Sequence, residues 1–257
     1  MQTLLKDLRE FKLSGMVFTL EERLSYARTN KLPYQELLEL LCEDEKSNRK
    51  DNNYKRRKNA AKLPSIKRLE DFDFSFQPSI DQKSINDIAT CWFINSKENV
   101  ILIGDSGTGK THLAIAFAIK ALAKEYSVYF TTVSDLLYNL HISKADNSYS
   151  KKLKLLINYD LLILDELGFK QLPKYSVDDF FSVISKRYEH KSTIITTNKE
   201  LAEWNDIFAE EVLTKAIVDR VMHHASTFNI KGKSYRMKKY KEAKMTWFFY
   251  FDWYTFR

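Results

Sequence analysis

The sequence lacks the features of several protein classes. Its 257 residues contain two cysteines, Cys42 and Cys91, which cannot build a disulfide framework. No group of cysteines and histidines has the spacing of metal ligands, and the adjacent His223 and His224 are not expected to point at one metal. We therefore expect a reducing, cytosolic setting.

Long apolar runs are also missing. No run approaches the ~20 apolar residues that a transmembrane helix needs. The first residues, MQTLLKDLRE, carry charge from the sixth position onward and contain no apolar core of a secretion signal. These absences predict a cytoplasmic protein that does not insert into a membrane.

Positive charge is in excess. The chain has 41 Lys and Arg against 34 Asp and Glu, a formal net charge of +7. This excess favours nucleic acid or an anionic membrane surface as partner, although solubility is the simpler explanation. A basic run follows an acidic helical stretch that starts near Pro33, and it is either a solvated helix face or a contact surface for nucleic acid. Its candidate nucleic-acid residues are Lys46, Arg49, Lys50, Lys55, Arg56, Arg57 and Lys58.

One stretch, GDSGTGKT, fits the phosphate-loop pattern G-x-x-x-x-G-K-[ST]. Glycines let consecutive backbone N–H groups point into one anion-binding concavity at a helix N-terminus. We expect Lys110 to reach the β- and γ-phosphates of ATP and Thr111 to place its hydroxyl on Mg²⁺. A strand at residues 99–103 and a helix at residues 112–124 supply the expected context. The predicted nucleotide-binding residues are Gly104, Asp105, Ser106, Gly107, Thr108, Gly109, Lys110 and Thr111.

A second motif is the carboxylate pair Asp165 and Glu166, which ends the apolar strand that begins at Leu161. A phosphate loop requires such an acidic partner. We expect Asp165 to hold Mg²⁺, directly or through water, and Glu166 to polarise the water that attacks the γ-phosphate. No other carboxylate pairing is interpretable, so we expect that the chain alone neither cuts nor joins DNA.

Two further polar residues are candidates for catalysis. Asn198 ends a predicted strand at residues 193–198, where it can hydrogen-bond the γ-phosphate or the attacking water; a capping asparagine is the alternative. Arg220 lies in a predicted helix at residues 211–225. It can complete the site of a neighbouring subunit as an arginine finger, and a surface salt bridge is the alternative.

The pattern of elements predicts two domains and a tail. Residues 1–68 carry no strand signal and form an all-α domain for DNA or partner binding, and residues 69–244 form an α/β ATPase domain. Within the latter we expect a helix over residues 80–96. Residues 227–240 predict a strand, a turn and a second strand that bears Arg236. The aromatic residues 245–257 are expected to be an extension outside the fold, or else a partner-binding or interfacial anchor.

Together these motifs resemble a known family. The segments GDSGTGKTHLAIAFA, YDLLILDELGF, IITTN, AIVDRVMHHA and IKGKSYR occur in the order seen in IstB-type helper ATPases of insertion sequences. Those proteins are related to the bacterial DnaC helicase loaders within the AAA+ class. The N-terminal segments LSGM, ERL and LEDFDFS match as well, so the resemblance covers about residues 5–240.

The resemblance implies a fold, partners and residue roles. The fold is a three-layer αβα core with a parallel sheet, preceded by a small all-α domain. The protein is expected to form ATP-dependent homo-oligomers on double-stranded DNA in bacteria and to select and prepare the target for a transposase. Asn198 resembles a sensor-1 residue, Arg220 an arginine finger and Arg236 a sensor-2 arginine that contacts the nucleotide.

Three alternatives stay open. A DnaC-type replicative helicase loader shares the ATPase core and differs in the partner of its N-terminal domain. A small-molecule kinase built on the same loop needs an acceptor pocket and mobile lid arginines. A non-hydrolysing scaffold keeps nucleotide only to hold an oligomer together, and the intact Glu166 argues against it.

Overall fold

The computed structural model describes residues 1–169, 172, 174–208, 210–238 and 240. The chain divides into two units, Met1–Asn59 and a second that begins at Ala60, whereas the sequence suggested a boundary at residue 68. The aromatic residues 245–257 lie outside the described residues. In the described part, no helix combines the length and apolar character needed to cross a membrane.

The first unit is helical, with α1 (Gln2–Glu10), α2 (Ser14–Asn30) and α3 (Tyr34–Ala60). The start of α2 lies so close to α3 that a Cβ added at Gly15 would be 2.7 Å from Glu45 Cα, so only glycine fits there. The buried Glu45 carboxylate accepts hydrogen bonds from the N–H groups of Gly15 and Met16 at 2.6 and 3.3 Å. It thereby satisfies donors that the N-terminus of a helix leaves open.

A second polar contact joins the same two helices. The Arg23 guanidinium donates to both carboxylate oxygens of Asp44, at 2.8 and 2.7 Å. The hydrogen bonds from Arg23 hold the pKa of Asp44 below its ordinary value. The LSGM and ERL segments, which carry the N-terminal resemblance, therefore contain the residues that fix α2 against α3.

Within the described residues, a five-stranded parallel sheet forms the centre of the second unit, in the order β2-β3-β4-β1-β5. The strands are β1 (Asn99–Gly104), β2 (Val128–Thr132), β3 (Leu161–Leu167), β4 (Ser192–Thr197) and β5 (Ala225–Ile230). Because every neighbouring pair is parallel, the carboxyl ends of the strands meet at one edge of the sheet, where open α/β sheets bind ligands.

Helices cover both faces of this sheet. They are α4 (Gln82–Ala89), α5 (Trp92–Asn95), α6 (Lys110–Ala123), α7 (Val133–Ala145), α8 (Tyr149–Asn158), α9 (Lys174–Arg187), α10 (Trp204–Phe208) and α11 (Glu211–Met222). On one face, Ile101, Leu162 and Ile195 pack in a core with residues of α7 to α11. Alternate residues such as Leu102 and Ile163 point to the other face, and α6 contacts β1, β3 and β4. The predicted three-layer α/β core after an all-α region is confirmed.

One predicted helix is interrupted. The helix expected over residues 80–96 breaks at Cys91, whose left-handed backbone (φ 62°) separates α4 from α5. Lys124 Nζ donates to the Thr90 carbonyl at 2.6 Å and so satisfies one of the carbonyls at the end of α4. No glycine or proline marks this break in the sequence, so the local pattern predicted one continuous helix.

The segment after β5 also differs from its prediction. Residues 235–238 are helical, so the expected second strand that bears Arg236 is wrong. The helical turn begins at Ser234, whose carbonyl accepts the Lys238 N–H at 3.2 Å and whose hydroxyl accepts the Met237 N–H at 3.4 Å. The Tyr235 N–H donates to the Gly107 carbonyl at 2.9 Å, which ties the turn to the phosphate loop.

Candidate nucleotide-binding site

A cavity of about 690 Å³ lies where the carboxyl ends of β1, β3 and β4 meet. Its walls come from the phosphate loop, from the ends of these strands, from the segment before β1 and from the helical turn after β5. Residues that line it include Ser106, Gly107, Thr108, Gly109, Lys110, Thr111, Glu166, Thr196, Asn198 and Arg236. The volume lies within the ~300–1,000 Å³ typical of small-molecule sites.

The phosphate loop places Lys110 at the first turn of α6. Lys110 Nζ donates to the carbonyls of Gly104 and Asp105 at 2.6 and 2.8 Å. The Asp105 carbonyl also accepts the Thr108 hydroxyl at 2.8 Å, which closes the loop. Burial lowers the pKa of Lys110, and the negative charges of Asp165 and Asp105 oppose that shift. The loop therefore holds a partly desolvated cation at a helix N-terminus, an arrangement that favours phosphate.

An apolar wall faces the loop from the segment before β1. Gly109 has a left-handed backbone (φ 105°), and a Cβ added there would lie 2.6 Å from the Phe72 ring, so glycine is required. Phe72 meets the His112 ring edge to face, with centroids 5.4 Å apart. Ile66 and Ile115 line the same cavity. The sequence analysis did not predict this wall. The aromatic residues of LEDFDFSF were the signal that could have indicated it.

The predicted Mg²⁺ ligands lie next to each other. Thr111 Oγ1 is 3.0 and 3.2 Å from the two carboxylate oxygens of Asp165, which is buried at the end of β3. The Thr196 hydroxyl, on the neighbouring strand β4, donates to the same carboxylate. A hydroxyl and a carboxylate are oxygen donors of the kind that Mg²⁺ selects, so these residues fit the ion.

Glu166 points away from its neighbour Asp165. Its backbone is left-handed (φ 63°), and the pairing of β3 with β4 is irregular between Leu164 and Leu167. The Glu166 N–H donates to Thr196 Oγ1 at 3.0 Å, and its carboxylate is exposed and lines the cavity. A non-glycine residue in this conformation is costly and is found at functional sites. The irregularity therefore directs the Asp165 carboxylate into the protein interior and the Glu166 carboxylate into the cavity.

Thr196 is the polar residue that sequence reasoning missed. It is 1% exposed, and its hydroxyl joins the Asp165 carboxylate to the Glu166 backbone. The sequence IITTN contains two adjacent threonines. Only the register of β4 beside β3 shows which of them meets Asp165.

The three remaining candidates differ in their placement. Asn198 and Arg236 line the cavity with Lys110, as expected for residues that contact a nucleotide. Arg220 does not line it. Its guanidinium lies 5.0 Å from the centre of the Phe181 ring and donates to the Ala216 carbonyl at 2.9 Å. A role for Arg220 in a neighbouring subunit therefore stays a prediction.

The candidate nucleic-acid residues all lie on α3, in the first unit. The residues concerned are Lys46, Arg49, Lys50, Lys55, Arg56, Arg57 and Lys58. Lys46, Lys50 and Arg57 share one face of the helix by their spacing, whereas Lys55 falls on the opposite face. Arg49 is paired with Glu45 at 2.6 Å, so part of its charge is used within the unit. Their contact with nucleic acid stays a prediction.

Residues 6–243 match the family described as IstB-like ATP binding protein. A Pseudomonas aeruginosa protein named for ATP binding and for insertion sequence IS21 is 39% identical over 236 residues, which are 92% of this chain and 89% of that protein. A Geobacillus stearothermophilus protein named in the same way for insertion sequence IS5376 is 39% identical over 214 residues, 83% of this chain and 85% of that protein. These matches confirm the resemblance inferred from the motifs.

Solved structures show the same core. The DnaC helicase loader has a TM-score of 0.53 and 26% identity, and the match covers 69% of this chain and 99% of that chain. AMPPCP-bound DnaA from Aquifex aeolicus has a TM-score of 0.55 at 20% identity, over 71% of this chain and 56% of that chain, a likeness of fold alone. The predicted AAA+ fold is therefore confirmed, and the chain belongs to the family of IstB-like ATP-binding proteins.

Proposed function

We propose that this protein is a Mg²⁺-dependent ATPase that assembles on double-stranded DNA and helps a transposase to select and prepare its target. The observation that carries the proposal is the cluster of Thr111, Asp165 and Thr196 beside the phosphate loop, with the Glu166 carboxylate in the same cavity. These groups supply a phosphate site, an oxygen-donor metal site and a general base within one cavity.

Each residue has a proposed task. The loop N–H groups and Lys110 bind the phosphates, and Thr111 with Asp165 holds Mg²⁺. When bound, Mg²⁺ neutralises charge that builds up on the phosphate oxygens. Glu166 orients a water molecule and accepts its proton, and Asn198 hydrogen-bonds that water or the γ-phosphate. Arg236 contacts the phosphates from the turn after β5.

Hydrolysis is proposed to be completed between subunits of a homo-oligomer. Arg220 would reach the nucleotide site of a neighbouring subunit and stabilise the charge of the transition state. To do so it must leave the Phe181 ring and the Ala216 carbonyl that it contacts within its own chain. Assembly would then couple hydrolysis to the presence of neighbours.

DNA binding is proposed for the basic residues of α3. Several of them share one helix face, so the helix can neutralise successive phosphates along a duplex. Binding of this kind weakens steeply with salt because counterions are released. The test compares affinity for a duplex at low and moderate salt in the wild type and in Lys50→Gln, whose salt slope should be smaller by about one.

A transposase is the proposed protein partner. The relatives at 39% identity are named for insertion sequences, and this supports a transposition helper. The alternative, a replicative helicase loader, is supported by the likeness to the DnaC structure. Pull-down from extracts with the full chain separates the two, because capture of a transposase supports the helper and capture of a replicative helicase supports the loader.

Nucleotide binding is tested by two lysine variants on the same helix. Lys110→Met should abolish both ATP hydrolysis and the rise in melting temperature that ATP produces. A saturating ligand at about 100 times its Kd stabilises by ~2.7 kcal/mol, and Lys110→Met should lose this gain. Lys120→Met is the control because Lys120 pairs with Glu70 at 2.6 Å and lies outside the cavity lining. If both variants keep the ATP-dependent shift, the assignment of the site is wrong.

A further inference from the structure

Three side chains with no part in the nucleotide site come together between the end of α9 and the start of β5. They are Glu189, which follows α9, and His223 and His224, which follow α11. One carboxylate oxygen and one ring nitrogen from each histidine lie within 4.8 Å of one another. The two imidazole centroids are 4.0 Å apart. Adjacent histidines were not expected to point at one metal, yet a ring nitrogen of each lies within reach of a single ion.

The backbone explains how these side chains meet. Glu189 has a left-handed backbone (φ 59°) in the turn that ends α9, which directs its side chain out of the helix. His223 still has helical geometry (φ −51°, ψ −40°) at the end of α11. The His224 carbonyl accepts the Asn99 N–H at 2.7 Å, which anchors the pair to the first residue of β1. The two histidines are thus held between α11 and β1, and Glu189 lies in the turn that directly follows α9.

A tyrosine orients two of the three side chains. Tyr188 Oη lies 2.8 Å from His223 Nδ1. The same hydroxyl also hydrogen-bonds the Glu189 carboxylate. The hydroxyl can accept a hydrogen bond from the Nδ1–H group of His223 and donate one to the Glu189 carboxylate. This arrangement leaves Nε2 of His223 as the electron-pair donor, and such outer contacts orient metal-binding histidines in proteins.

We propose that Glu189, His223 and His224 bind one divalent transition-metal ion of the Zn²⁺ class. Two imidazoles and one carboxylate are donors that Zn²⁺ accepts, whereas Mg²⁺ prefers oxygen alone. Three protein ligands leave the fourth tetrahedral position for water or for a group of a partner. Tetrahedral ligands at ~2.1 Å from the metal lie ~3.4 Å apart, so ligand atoms that are up to 4.8 Å apart approach one another by at most about 1.4 Å on binding.

The site is independent of the proposed nucleotide chemistry. The His224 carbonyl accepts a hydrogen bond from Asn99 at the start of β1, and the phosphate loop follows the end of that strand. At ~3.3 Å per residue, the six residues of β1 separate the two sites by roughly 17 Å. Metal binding at this site can therefore be measured without ATP. If no metal binds, the proposal that the protein is an ATPase is unaffected.

The test uses the full-length, untagged chain, since a polyhistidine tag would itself bind the metal. Co²⁺ is titrated while the visible absorption of four-coordinate Co²⁺ is recorded, and Zn²⁺ affinity is measured by competition with a chromophoric chelator. We expect one equivalent of metal per chain in the wild type. His224→Ala and Glu189→Gln should each weaken Zn²⁺ binding at least tenfold, and Tyr188→Phe about tenfold through lost orientation.

The matched control is His141→Ala, since His141 is an exposed histidine on α7. It should bind the metal like the wild type, and circular dichroism should show that every variant is folded. The proposal is overturned if His224→Ala and His141→Ala bind Co²⁺ and Zn²⁺ equally. It is also overturned if the wild type takes up metal only weakly and without a defined stoichiometry, as scattered surface histidines do.

Discussion

Replacement of Thr196 by valine removes one hydroxyl and keeps the shape of the side chain. In the wild type that hydroxyl donates to the Asp165 carboxylate and accepts the Glu166 N–H at 3.0 Å. A hydrogen bond to a charged group contributes ~1.5–3 kcal/mol, and a buried donor left without a partner costs ~1–3 kcal/mol. Because some of this loss is offset by relaxation, we expect the unfolding free energy to fall by about 2–4 kcal/mol.

The same change should impair hydrolysis. Without its hydrogen bond, the left-handed backbone of Glu166 loses its support, and the carboxylate shifts within the cavity. A misplacement of ~1 Å can cost up to ~10²-fold in rate, so we expect kcat to fall by at least tenfold. The decrease in stability corresponds to roughly 5–15 °C in melting temperature for a unit of this size. Thermal denaturation and steady-state ATP hydrolysis measure the two effects.

Thr131→Val is the matched control on strand β2. Thr131 is also buried, but its hydroxyl donates only to the Thr132 carbonyl, at 3.1 Å, and does not contact the site. We expect Thr131→Val to lower the unfolding free energy by about 1 kcal/mol and to leave the rate of ATP hydrolysis unchanged. If Thr196→Val loses no more stability and no more activity than Thr131→Val, the bridging role of Thr196 is refuted.

Two further predictions concern stability. Glu45→Gln should destabilise the first unit by about 2 kcal/mol in urea denaturation, since its carboxylate accepts two N–H groups of α2, whereas Glu43→Gln on the same helix should have little effect. Burial acts to raise the pKa of Glu45, but hydrogen bonds from Arg49 and from α2 hold this pKa below its ordinary value of 4.5. The wild type should therefore have the full excess of unfolding free energy over Glu45→Gln above pH 4.5, and this excess should vanish as the pH falls through the lowered pKa. Arg187→Met should lower the unfolding free energy by about 3 kcal/mol or more, because the buried guanidinium donates to four backbone carbonyls. Lys186→Met, which changes an exposed side chain, should leave the unfolding free energy nearly unchanged. Equal urea denaturation midpoints for the two variants would contradict this prediction.

The parts of the site that the sequence predicts are those whose chemistry is local. The phosphate loop requires its glycines, Lys110 and Thr111 at fixed spacing, and Asp165 ends an apolar strand. Such patterns are visible without the fold. The order of the strands and the residues that cross between them depend on the register of the sheet, so the bridge from Thr196 to Asp165 appears only in the structure.

The failures of prediction have a common cause. Cys91 breaks a helix by a left-handed turn that a lysine from another helix caps, and Tyr235 joins a helical turn because its N–H donates to Gly107. Phe72 lies far along the chain from the loop that it covers. Each of these features arises from a contact between distant segments, which local propensity does not report.

We propose that Glu166 activates water for ATP hydrolysis in an oligomer on DNA. The most direct test compares the wild type with Glu166→Gln in ATP hydrolysis and in size distribution, each with and without duplex DNA. We expect that Glu166→Gln still binds ATP, hydrolyses it about 100-fold or more slowly, and remains as a large complex on DNA. Hydrolysis by Glu166→Gln at the wild-type rate, or hydrolysis by a wild-type monomer that does not respond to DNA, would contradict this role of Glu166.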